Sequence, residues 1–337
     1  MNTQFRYEED HALLRAEARR WLELRFPIAR VRALAESASG EDPADWAALA
    51  ELGWLGLVVP EKFGGAGLGA THLAVLMEET GRRLLPSPLL SSTLAAHALV
   101  RNGSDAERER WLPRIVSGET RAVLVTRASA WGAALADVLI VPDTDGVRVV
   151  ERRSAGVGVE PETVLDRTRR SARVTLDGVA LEAASPADAF TAFACVALAA
   201  EMAGGADALL ALTAAYAATR EQFGKPIGSF QAVKHPLVNV LIGVESLRSL
   251  VYAAATALDA GSPDAEALAR MAKAHACDAY VFAASRAVQL HGGFGFTLDC
   301  DAHLYFKRAQ TTRPAFGDAM AQRRWLADRL LGASAAT

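Results

Sequence analysis

Residues with chemistry to offer crowd into one stretch of this chain, TREQFGKPIGSFQAVKH at 219–235, which holds Arg220, Gln222, Phe223, Gly224, Lys225, Pro226 and Gln231. A second stretch, QLHGGFGF at 289–296, adds Gln289 and the pair Gly292–Gly293. An arginine fork gives phosphate a planar, two-pronged charged contact. Glycines without Cβ let backbone N–H groups come close to an anion. With two amides and an aromatic face beside them, the set suits the diphosphate and adenine end of a dinucleotide. Plainer roles remain open. Arg220 suits a helix-end cation, Phe223 a core aromatic and Gly292–Gly293 a helix C-cap. His291, beside the pair, reads as structural.

The elements that must position these residues are helical. The first stretch joins two long Ala-rich helical patterns by a turn, and the second stands where another such pattern stops. The chain has 337 residues, enough for two or three domains. Apolar residues make up 51%, led by Ala, which favours packed helices. A net charge of −3 gives no reason to expect nucleic acid or an anionic membrane as partner. The basic run Arg167, Arg169, Arg170 and Arg173 reads as a solvated face. Cys195, Cys277 and Cys300 lie far apart without metal spacing and read as buried thiols in a reducing compartment. The N-terminus MNTQFRYEEDHALL has no signal-peptide core. The apolar stretch 193–218 contains Glu201 and Asp207 and reads as a buried bundle helix. A soluble cytoplasmic protein without metal is the expectation.

Residues 1–120 read as a helical domain. Asp42–Pro43 predicts a helix start, and Ser104 with Glu107 predicts a capping box. PEKFGGAGLGA at 60–70 is a glycine-rich loop with a structural role favoured over ligand contact; its Lys precedes the glycines, which excludes a P-loop. Residues 121–185 carry β-branched runs at 122–126, 137–141, 146–151 and 172–179, with a hairpin signal from Asp143 to Gly146. The length accommodates about five or six short strands. From 186 to 337 the helical pattern returns, with helices expected near 190–220, 230–258, 264–288 and 315–331 as a four-helix bundle. Pro236 is expected to kink the second.

The two stretches, the loop with its following helix THLAVLMEETGR, and WLPRIVSGE at 111–119 resemble the acyl-CoA dehydrogenase family. So does the order of a helical N-terminal domain, a small and here shortened β domain, and a C-terminal four-helix bundle, a mainly α fold with a small β domain. The resemblance implies α,β-desaturation of an acyl-CoA thioester with FAD as cofactor and an electron-transferring flavoprotein as redox partner. It implies that Arg220, Gln222, Phe223, Gln231, Gln289, Gly292 and Gly293 contact the diphosphate and adenine end of a flavin whose ring sits in a neighbouring subunit. The family's chemistry asks for a base at the substrate α-carbon, donors for the developing enolate and a dry slot for the ring.

The chain departs from the family in two places. The family's Thr-Glu-Pro…Gly-Ser-Asp stretch is replaced by TRASAWGAALADV at 126–138. The catalytic carboxylate is missing from both usual positions, which hold Phe316 and Ala194; Asp318 is the nearest acid to the first, and Glu201 lies about two turns beyond the second. The favoured expectation is a non-catalytic short subunit that completes the FAD site of a full-length partner, as in the heterotetramers of bacterial steroid side-chain breakdown. One alternative is a self-sufficient homo-oligomer with Asp318 as base. Another is a flavin-free scaffold on the same fold.

Overall fold

The structure, a computed structural model, describes residues 8–143, 146–178, 181 and 188–332. The expected hairpin tip at 144–145 and the expected domain boundary at 185–186 lie outside them. Six helices come first: α1 (Glu9–Arg25), α2 (Ile28–Glu36), α3 (Pro43–Glu51), α4 (Ala70–Arg82), α5 (Leu89–Asn102) and α6 (Asp105–Val116). Six strands follow: β1 (Ala122–Leu124), β2 (Ser129–Trp131), β3 (Val138–Asp143), β4 (Gly146–Glu151), β5 (Val157–Pro161) and β6 (Ser171–Leu176). Then come α7 (Asp188–Thr219), the hairpin β7 (Glu221–Gln222) and β8 (Lys225–Pro226), α8 (Gln231–Asp259), α9 (Ala265–Leu290), α10 (Ala302–Thr312) and α11 (Ala319–Leu331). The chain packs as two compact units. Of the described residues, one comprises those up to Ala29, Ala74–Leu85 and those from Ala194 onward; the other comprises those within Arg30–Leu73 and Pro86–Phe193.

The second of these units combines helices with all six early strands. Its helix starts follow from the sequence. The Asp42 carboxylate accepts from the Ala44 N–H with Pro43 in the first turn. Ser104 and Glu107 cap each other reciprocally, which satisfies two otherwise orphaned donors. The loop at 60–70 is a packing device: a Cβ on Gly65 would lie 2.1 Å from the Val59 carbonyl oxygen. The strands form two sheets, β1-β3-β4 and β2-β6-β5. Asp143 pairs with Gly146 across the expected hairpin. Val123, Leu139, Val141, Ala172 and Val174 share one buried core. Strands β2 and β5 were not legible, because SAW is too short to show alternation and VGVEP carries Gly and Pro, which are depleted in strands.

The basic run is a correction. Arg169 is buried and its guanidinium lies 4.7 Å from the Trp131 ring centroid. Arg170 donates to the Ala35 and Ser37 carbonyls. Arg167 and Arg173 remain on the surface in ion pairs with Glu36 and Glu162.

In the other unit α9 packs against α8, α10 and α11. From Ala194 to Ala206 helix α7 is buried on all sides and apolar but for Glu201. It crosses α4 at backbone contact: a Cβ on Gly204 would meet the Glu78 carbonyl oxygen at 1.8 Å, and one on Gly81 the Glu201 carbonyl oxygen at 1.9 Å. Charges then tie the helices together. Glu78 pairs with Arg15 and Arg248, each at 2.8 Å. Burial opposes the Glu78 charge, yet these two guanidiniums hold its carboxyl below the usual range. Cys195, Cys277 and Cys300 are buried free thiols. The α8 helix runs as one element through Pro236. Helix α10 was not expected; Lys307 and Arg308 interrupt its apolar pattern, and Arg308 is nevertheless buried against Glu201. Helix α11 begins at Ala319 and not at 315, because Phe316 and Gly317 before it have positive φ.

Candidate functional site

The Arg220 stretch is built from a helix end, a two-residue turn and a helix start. The Arg220 N–H donates to the Tyr216 carbonyl and closes the last turn of α7. The register Gln222 to Lys225 then leaves Phe223 and Gly224 as the turn, with φ of 54° and 74°. That is the left-handed pair a tight hairpin requires. Glycine adopts it freely, whereas a residue with a Cβ is held there at a cost of about 1–2 kcal/mol. Phe223 is that residue, and it is 92% exposed, so it is not a core aromatic. The Phe230 ring approaches it edge-on, at 6.1 Å. The Lys225 ammonium sits 4.4 Å from that second ring.

Gln231 opens α8, is exposed, and follows Phe230, which offers no side-chain cap. The uncapped start of a 29-residue helix therefore presents backbone donors and a partial positive charge beside Gln231. Arg220 and Gln222 are also exposed. Among the described residues the Arg220 guanidinium has no side-chain partner, while the Gln222 amide donates to the neighbouring Glu221 carbonyl at 2.8 Å.

The second stretch caps α9. His291 is buried and its Nδ1 lies 2.7 Å from the Ala287 carbonyl, a structural placement. Gly292 has φ 61°, a left-handed backbone that favours glycine. Gly293 has no such need, and a Cβ on either residue would meet nothing within 4 Å. Packing within this chain thus gives no reason for Gly293, while close approach of an outside group does. Gln289 is exposed on the last turn of α9.

Tyr216 brings the two stretches together. Its ring stacks on His291 at 4.4 Å and on Phe294 at 6.1 Å, and its hydroxyl lies 3.5 Å from the His291 carbonyl. Sequence reasoning missed Tyr216 and Phe294. Their signal was the spacing: Tyr216 stands one turn before Arg220 and Phe294 directly follows the glycine pair.

The base positions look different. Ala194 is fully buried on α7. Phe316 keeps a left-handed backbone, φ 54°, followed by Gly317 at 91°. This turn is firmly held. Lys273, which has no exposed surface, donates to the Arg313 and Gly317 carbonyls at 3.0 and 3.1 Å and contacts the Cys277 sulfur at 3.0 Å. Gln322 donates to the Phe316 carbonyl. Asp318 is the N-cap of α11, accepting from the Ala321 N–H at 2.9 Å. That hydrogen bond, ahead of any other cause, holds its carboxyl below the usual range. Glu201 is paired with Arg308 at 3.0 Å, both buried.

The segment 126–138 forms β2 and a single 3₁₀ turn at Ala133–Leu135. Its Trp131 is stacked under Arg169 and lines a cavity with Ser87, Ser91, Thr168 and Arg170. The space there for water-sized guests is only ≈ 30 Å³. Organic ligands occupy cavities of roughly 300–1,000 Å³.

The comparisons with known proteins agree with this architecture. Residues 8–119 match the acyl-CoA dehydrogenase N-terminal domain, and residues 189–331 match the acyl-CoA dehydrogenase C-terminal domain. The chain belongs to the acyl-CoA dehydrogenase family of oxidoreductases. It is 38% identical over 284 residues to acyl-CoA dehydrogenase IpdE2 of Mycobacterium tuberculosis, covering 83% of this chain and 85% of that protein. To IpdE2 of Mycolicibacterium smegmatis it is 35% identical, covering 94% and 98%. Among solved structures it is similar to a variant of the Tcur3481-Tcur3483 steroid ACAD, with TM-score 0.89, 30% identity and coverage of 97% and 99%. The ChsE4-ChsE5 complex from Mycobacterium tuberculosis matches at TM-score 0.89 and 26% identity, covering 98% and 99%.

Proposed function

We propose that this chain is the non-catalytic short subunit of a hetero-oligomeric acyl-CoA dehydrogenase and completes the FAD site of a full-length partner. The observation that carries the reading is a contrast within one polypeptide. The groups suited to a dinucleotide's diphosphate and adenine are outward-facing, whereas the family's base position holds Phe316. The residues fit the cofactor: the bare Gly292–Gly293 backbone leaves room for an outside group, as FAD would require. Arg220 and the start of α8 would hold the diphosphate, Phe223 would offer the adenine a face, and Gln222, Gln231 and Gln289 would orient it. Bound FAD supplies the electron acceptor for α,β-desaturation of an acyl-CoA thioester.

The base and the shelter for the flavin ring would come from the partner. Asp318, committed to a helix cap and kept ionised by it, is poorly suited to take a proton in this chain. The two-protein assemblies named in the solved relatives support a hetero-oligomer. The word steroid in one of those names supports a bulky acyl group on CoA. We assign the re-oxidation of the flavin to an electron-transferring flavoprotein, and the cytoplasm as location accords with three buried free thiols.

The test is to purify the chain alone and co-expressed with a full-length homologue. Flavin absorbance at the visible maximum and enoyl-CoA formation are expected only for the pair. Strong flavin binding with turnover by the lone chain overturns the proposal. Absence of flavin dependence on this chain in the pair would favour a scaffold.

A further inference from the structure

Lys273 and Cys277 form a buried contact that the candidate cofactor site does not use. They stand four residues apart on α9 and so share one of its faces. Lys273 has no exposed surface and Cys277 is 1% exposed. The Lys273 Nζ lies 3.0 Å from the Cys277 Sγ, and the Cys277 thiol reaches the Arg313 carbonyl at 3.4 Å. An ammonium has three donors, and here they meet that sulfur and the Arg313 and Gly317 carbonyls. A cysteine beside a lysine is the kind that oxidants attack, whereas one sunk in apolar surroundings is inert. Cys195 is the contrast: burial above all pushes its thiol up to about 12, although Lys273 is among the charges that oppose the rise.

We propose that Lys273 and Cys277 are a redox modification site, at which hydrogen peroxide closes a covalent N–O–S bridge between the two side chains. Peroxide is close to water in size, and local opening of the helix admits it. The sulfur attacks one oxygen of a first peroxide, the O–O bond breaks, and Cys277 becomes a sulfenic acid with release of water. The Lys273 amine, having shed its ammonium proton, then bonds through Nζ to the sulfenic oxygen. The N–H and O–H hydrogens lost in that step reduce a second peroxide to two waters. Sulfur and nitrogen are oxidised, and both peroxides are reduced. The separation selects this product. At 3.0 Å a direct N–S bond would pull Nζ away from both carbonyls, whereas a single bent oxygen spans the gap with little movement. The bridged nitrogen keeps one N–H, where the ammonium had two for the carbonyls. Either Arg313 or Gly317 then loses its donor, in the turn that carries Phe316 and leads into the Asp318 cap. The modification therefore loosens the turn at the family's base position.

The test uses the full chain purified alone under reducing conditions, without flavin or partner, so its outcome is independent of the proposed function. The folded chain is treated with hydrogen peroxide, denatured in a thiol-alkylating reagent and digested with trypsin, which does not cut after a modified lysine. The bridged chain is expected to give one peptide from Met271 to Arg286 in place of two. Its mass is expected to be that of the uncut peptide plus one oxygen less two hydrogens, with Cys277 unalkylated and Cys195 still alkylated. Fragment ions place the change between Lys273 and Cys277 and so distinguish it from a Met271 sulfoxide. Amide exchange over 313–318 is expected to quicken severalfold on treatment of the wild type and to stay unchanged on treatment of Cys277→Ala. The mass readout needs only the wild type, so it decides the matter even if the variant misfolds. An unmodified wild type, a Cys277 sulfinic acid with Lys273 still cut, a direct N–S bond, a Cys195–Cys277 disulfide, or the same increment in Cys277→Ala overturns the proposal.

Discussion

Replacing Arg220 by Ala separates the two roles an arginine can have at a helix end. Its side chain is exposed and has no side-chain partner among the described residues. Its contribution to folding is therefore confined to a surface charge, and the bare chain's stability should change by no more than about 0.5 kcal/mol. A fork to a diphosphate is a charge-assisted contact worth about 1.5–3 kcal/mol. Removing it should weaken FAD binding by roughly 10- to 150-fold in the assembled hetero-oligomer. Arg220→Lys keeps the charge and loses the planar fork, so it should fall between. The assay is fluorescence titration of FAD into the deflavinated complex, set beside thermal unfolding of the lone chain. An Arg220→Ala complex with wild-type FAD affinity would refute the placement of the diphosphate. A lone chain that unfolds several degrees early would show the arginine to be structural.

Asp318→Asn should leave turnover of the assembled enzyme within a few-fold of wild type, because Asn caps a helix nearly as well as Asp; a loss of several orders of magnitude would make Asp318 the base. The Asp318 carboxyl is lowered in the folded state, so its stabilisation is present above the unfolded aspartate value and fades as pH falls through the folded one. Unfolding curves of wild type and Asp318→Ala should accordingly converge in acid. Arg308→Ala removes the buried guanidinium that pairs with Glu201 and should cost about 3–5 kcal/mol in urea unfolding, with Glu201→Leu/Arg308→Met regaining most of it; a cost under about 1 kcal/mol would mean that the site collapses or hydrates. Gly204→Ala drives a methyl into the Glu78 carbonyl and should force α7 from α4, destabilising the chain by about 1–3 kcal/mol or more with faster amide exchange in both helices.

What the sequence determined by itself was local or periodic. The caps at Asp42 and Ser104 involve side chains within three residues of their targets, so identity and spacing specify them. Helix α8 carries its own apolar stripe at three- and four-residue spacings, and the Phe223–Gly224 turn needs only its two neighbouring strands. The strands β2 and β5 and the helix α10 depend instead on partners far along the chain: β2 and β5 pair with β6, and α10 carries the arginine that answers Glu201 on α7. Only the tertiary structure could decide that Arg169 lies over Trp131 and that Tyr216 joins Arg220's helix end to the glycine pair. The reason is that the type of a side chain states which bonds it can form, while burial and the competition of nearby backbone donors choose among them.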